Sequence, residues 1–94
     1  MESKTELIGE KWKRILYKVN YEEKVVDDTE YHKYIIASKY MNLIMEWRSD
    51  FNQYGYYLYK LLVAKNTLYL LKIWIPAYGH SDVEDELTIY KLTI

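Results

Sequence analysis

Ligand chemistry is densest in Gly79-His80-Ser81-Asp82-Val83-Glu84-Asp85-Glu86, where one imidazole stands beside four carboxylates. Such a loop can hold a hard divalent ion or poise a general base. The Asp-x-Asp-x-Asp-Gly core of a calcium-binding hand is missing, however, and a solvated acidic loop accounts for the same residues. The other histidine, His32, has no residue of ligand type spaced to join it. The phosphate-binding, dinucleotide-binding, nucleophile-elbow and H-E-x-x-H patterns are all absent. Three glycines are too few for a phosphate-cradling loop, and the lack of cysteine removes disulfides, thiolate nucleophiles and thiolate-held metals. No enzymatic activity, metal or cofactor is expected.

Two constellations suit binding instead. Tyr57, Tyr59, Lys72 and Trp74 fall on one face of a two-stranded hairpin, an aromatic patch with one cation. Tyrosine and tryptophan anchors dominate the energetics of protein interfaces, and sheet-borne aromatic rings can also stack on bases. Lys4, Lys11, Arg14 and Lys18 cluster, on a helical wheel, within an arc of about 80° and could follow a phosphate backbone. Glu2, Glu6 and Glu10 dilute that field, so an ordinary charged helix face explains the same residues. A protein partner is therefore expected first, and nucleic acid second.

The 94 residues make a single domain, 1–94, with half of its residues hydrophobic. A chain of this length buries roughly 60–65% of its unfolded surface, so its core is modest. The formal net charge of -1 favours neither nucleic acid nor an anionic membrane. Residues 1–10 carry three glutamates and no long apolar core, and no apolar run approaches the roughly 20 residues of a membrane span. A cytoplasmic protein is the expectation. Twelve tyrosines stand against one phenylalanine, a bias that AT-rich codons or an interface-rich surface would each produce.

The elements that would carry these residues follow from periodicity. Ser3 and Glu6 have capping-box spacing, and Ile8, Trp12, Ile15, Leu16 and Val19 then recur within an arc of about 100°, which predicts a first helix. The β-propensity of residues 12–19 offers a strand as the alternative. Residues 20–28 read as a polar connection. Asp27 and Glu30 form a second capping box, and residues 30–51 predict a long helix whose apolar arc spans about 200°. An arc that wide exceeds what a small sheet covers. It predicts a homodimer in which Tyr40, Met41, Ile44, Met45 and Trp47 are buried. Residues 56–64 and 68–75 predict a hairpin around Lys65-Asn66-Thr67, with Asn66 in the left-handed conformation, and Pro76 ends it. A two-residue turn at Asn66-Thr67 sets Tyr56, Leu58, Lys60, Leu62 and Ala64 on one face with Tyr69, Leu71, Ile73 and Ile75. Residues 77–86 form a loop and 87–94 a third strand. The expected fold is α+β, with two N-terminal helices packed on a three-stranded antiparallel meander.

The tyrosine-rich, cysteine-free composition resembles that of small proteins from crenarchaeal viruses and plasmids. Asp50-Phe51-Asn52-Gln53-Tyr54 followed by residues 56–76 is similar in pattern to the aromatic hairpin of a small archaeal-virus anti-CRISPR family. That resemblance implies binding to a subunit of a CRISPR effector, inhibition of a host defence complex, and action as a dimer. No functional residue carries over. Residues 69–76 also resemble the late strands of RelE-like ribonuclease toxins, but the basic and histidine residues such a nuclease needs are missing from the neighbouring strands.

Overall fold

Two bulges and one abrupt change of backbone direction shape this fold. The computed structural model describes residues 11–19, 22–77 and 86–93. Six strands occur in the order β1 (Lys13–Val19), β2 (Glu22–Val25), β3 (Asn42–Arg48), β4 (Gly55–Ala64), β5 (Thr67–Pro76) and β6 (Glu86–Thr93). A ten-residue helix α1 (Asp28–Ala37) and a 3-10 turn (Ser38–Tyr40) lie between β2 and β3. All six strands pair antiparallel in one sheet of order β2-β1-β6-β5-β4-β3.

The expected pair of N-terminal helices on three strands is thus corrected to a six-stranded sheet carrying one described α-helix. The proposed Ser3–Glu6 cap lies outside the described residues, and residues 13–19 form β1, the strand alternative. The reason is a bulge. The register of β1 against β6 slips between Arg14 and Leu16, so the consecutive residues Ile15 and Leu16 both enter the same buried cluster. The bulge sets two consecutive residues on one face, and with Trp12 and Val19 on the other face the apolar positions imitate helical spacing. Part of the expected polar connection is β2, and the amide of Val26 prolongs its pairing by donating to the Ile15 carbonyl at 3.0 Å.

The long helix over 30–51 is likewise corrected. Asp27 caps α1 as expected, its carboxylate accepting from the Glu30 amide at 3.1 Å. The helix stops at Ala37, the Ser38 hydroxyl donates to the Ile35 carbonyl at 2.7 Å, and Met41 turns to extended backbone. Leu43, Ile44, Met45 and Trp47 then lie on β3, whose register against β4 slips between Leu43 and Met45. That second bulge removes the alternation that would have marked a strand. The 200° arc was two elements superimposed, so its argument for a buried helical dimer face falls.

The hairpin is present with its turn one residue earlier. Ala64 pairs with Thr67, and Lys65 rather than Asn66 is left-handed at φ 56°. The face partition is the expected one, with the register displaced by two residues, because both turns have two residues. Gly55 opens β4 at φ 144°, where a Cβ would stand 2.2 Å from the Ile75 carbonyl oxygen. Asn52 shapes the approach by accepting from the amides of Tyr54 and Gly55. Helix α1 packs on one face of the sheet, over β1, β6 and the start of β5. Tyr31, Tyr34 and Ala37 pack on the cluster of Ile15, Leu16, Tyr69 and Ile89, and the rings of Tyr34 and Tyr69 meet edge to face at 5.2 Å. Glu30 ties the helix to β6 through an ion pair with Lys91. No helix among the described residues is long and apolar enough to cross a membrane.

Candidate binding face

The opposite face of the sheet carries the aromatic patch. Cross-strand partners share a face. The pairs Tyr57–Trp74 and Tyr59–Lys72 therefore sit side by side on β4 and β5, and all four sequence-predicted residues converge. The rings of Tyr57 and Trp74 meet edge to face with centroids 4.9 Å apart. Lys72 Nζ stands 4.3 Å from the Tyr57 ring centroid, within reach of a cation–π contact. Each pairing follows from a regular ten-residue strand on either side of a two-residue turn, which fixes register over the whole hairpin.

Tyr59 departs from its expected role. It is only 6% exposed and, with Leu70, forms a second small core under Trp12, Trp47, Tyr57, Leu61 and Tyr90. Trp47 stacks on Tyr59 with centroids 5.3 Å apart and planes 9° from parallel. Tyr59 supports the patch from beneath, while Tyr57, Lys72 and Trp74 are half-exposed. No described helix packs on this side. The buried indole N–H of Trp74 has no acceptor among the described residues.

The basic stripe does not survive. Arg14 pairs with Tyr90 on the aromatic face and lies over the Tyr17 ring at 5.4 Å. Lys18 pairs with Leu87 on the helix face, Lys11 precedes β1, and Lys4 lies outside the described residues. A strand sends residues four apart to the same side only where its alternation is unbroken, and the bulge at Ile15 separates Arg14 from Lys18. Of the acidic loop, only Glu86 is described. Its carboxylate faces the tyrosines of the patch. Burial, then the Glu86 charge, raises the Tyr57 hydroxyl above its usual range. Burial likewise raises Tyr59 and Tyr90, with Arg14 opposing the shift at Tyr90. These phenols are neutral at physiological pH and present O–H donors.

Trp12, Trp47 and Tyr90 are members of this face that sequence reading did not assign to it. Tyr90 was legible in principle, since Thr88, Tyr90 and Leu92 alternate with Leu87, Ile89 and Lys91. Trp12 and Trp47 were hidden because both were read as helical. Comparison of the chain with known protein families, with curated proteins and with solved structures finds no match to any of them.

Proposed function

We propose that the protein is a non-enzymatic binding module that docks another protein on the aromatic face of its sheet. The joint placement of Tyr57, Lys72 and Trp74 on a face without a described covering helix carries this reading. Such rings supply large contact area with little conformational freedom to lose, and Lys72 adds a donor at their centre. Charge on this face is mixed: Arg14, Lys24 and Lys72 stand with Glu22 and Glu86. A surface that follows a phosphate backbone needs a cation excess, which ranks nucleic acid second. A host defence complex, the partner class implied by the likeness of the hairpin to archaeal-virus anti-CRISPR proteins, is the first to test.

The test compares capture from native host lysate by the wild type and by Lys72→Glu. The expected outcome is a stoichiometric protein partner held by the wild type and reduced about tenfold or more by the substitution, with the fold unchanged by circular dichroism. Micromolar binding of labelled DNA or RNA at physiological salt, lost in Arg14→Glu, would overturn the reading in favour of nucleic acid.

A further inference from the structure

The two edges of the sheet differ in kind. The β2 edge is short and charged, with Glu22, Glu23 and Lys24 exposed, which discourages pairing with another strand. The β3 edge carries Leu43, Ile44 and Met45 at 55%, 51% and 51% exposure, and no described strand lies beyond it. An apolar, uncovered edge is a template for strand addition.

The free groups of that edge can be located. The Ser49 amide donates to the Tyr57 carbonyl at 2.9 Å, and Trp47 pairs with Tyr59 in the same register. Inward and outward groups alternate along an antiparallel strand, so Trp47 and Ser49 bond to β4 while Glu46 and Arg48 direct their N–H and C=O groups outward. The bulge at Ile44 bounds the regular stretch on one side, leaving residues 45–49 as a segment centred on Trp47.

A second copy fits this edge in one register. In a two-fold antiparallel pairing, outward residues must meet outward residues. Centring on Glu46 sets Glu46 against itself. Centring on Arg48 sets Arg48 against itself and Glu46 against Asp50. Centring on Trp47 sets Glu46 of each copy against Arg48 of the other, and these two residues exchange backbone hydrogen bonds and opposite charges at once. It also pairs the whole regular segment with itself. We infer that the protein forms a two-fold dimer by antiparallel pairing of β3 with β3 about Trp47, joining two sheets into one of twelve strands. This interface is separate from the Tyr57–Lys72–Trp74 patch, so it can stand or fall independently of the proposed function.

Sedimentation of Glu46→Lys, Arg48→Glu and the charge-swapped double variant E46R/R48E tests the register. The wild type is expected at twice the 11.5 kDa chain mass at micromolar concentration. Each single variant sets like charges against each other twice and is expected to weaken the dimer about tenfold or more. The double variant restores opposite charges and is expected to return to within about threefold of wild type. Circular dichroism on each variant confirms the monomer fold, since Glu46 also faces Lys60 at 3.8 Å within the chain. A monomeric wild type, or a dimer indifferent to the single substitutions, would overturn the inference.

Discussion

Single residues decide the hairpin and its exposed face. Lys65 holds a left-handed conformation at the first position of a two-residue turn, a place that glycine occupies without strain. Relief of that strain outweighs the added freedom glycine gives the unfolded chain. Lys65→Gly is expected to stabilise the fold by about 0.5–1 kcal/mol, measured by urea unfolding. The placement of Tyr57, Lys72 and Trp74 on one face was legible in the sequence, because alternation in a strand is a local property. It missed the burial of Tyr59, because the ring that stacks on it belongs to Trp47, twelve residues away in sequence and one strand away in space. The left-handed residue was placed at Asn66 instead of Lys65 because composition cannot say which turn residues the flanking pairs leave between them.

At the scale of elements, legibility tracked regularity. The β4–β5 hairpin was readable because its strands alternate without interruption. Strands β1 and β3 were read as helices, and each contains a bulge. In β1 the bulge brings the adjacent Ile15 and Leu16 into one cluster while Trp12 and Val19 lie on the other face, so apolar residues from both faces together imitate helical spacing. In β3 it leaves Leu43-Ile44-Met45 as an unbroken apolar run. The cap of α1 was legible because Asp27 and Glu30 act within one turn. The docking of α1 was not, because Glu30 reaches Lys91 from a distant strand. The hydrogen bond from Lys91, reinforced by Lys33, holds the Glu30 carboxyl below its ordinary value of 4.5 against a smaller opposing effect of burial. A depressed carboxyl pKa stabilises the fold above the unfolded value and loses that contribution as pH falls through the folded one. The stability difference between wild type and Glu30→Gln is therefore expected to be constant above about pH 4.5 and to shrink below it. Urea midpoints across pH 3–7 check this, and a difference that grows on acidification would contradict it.

Across the whole molecule, the pairing of β6 with β1 joins the β1–β2 hairpin to the β3–β6 meander, and no local signal specified it. That pairing places α1 on one face and leaves the aromatic residues together on the other. The central claim is that this second face is where a protein partner docks. Site-specific photocrosslinking in native lysate tests it most directly, with the photoreactive residue at position 14 in one sample and at position 36 in another. Arg14 lies exposed beside Tyr90 on the aromatic face, outside the Tyr57–Lys72–Trp74 trio, and Ile36 lies exposed on α1, on the far side of the sheet. A discrete protein adduct is expected from position 14 and none from position 36. Adducts from position 36 alone, or nucleic-acid adducts in place of protein from position 14, would contradict docking on this face.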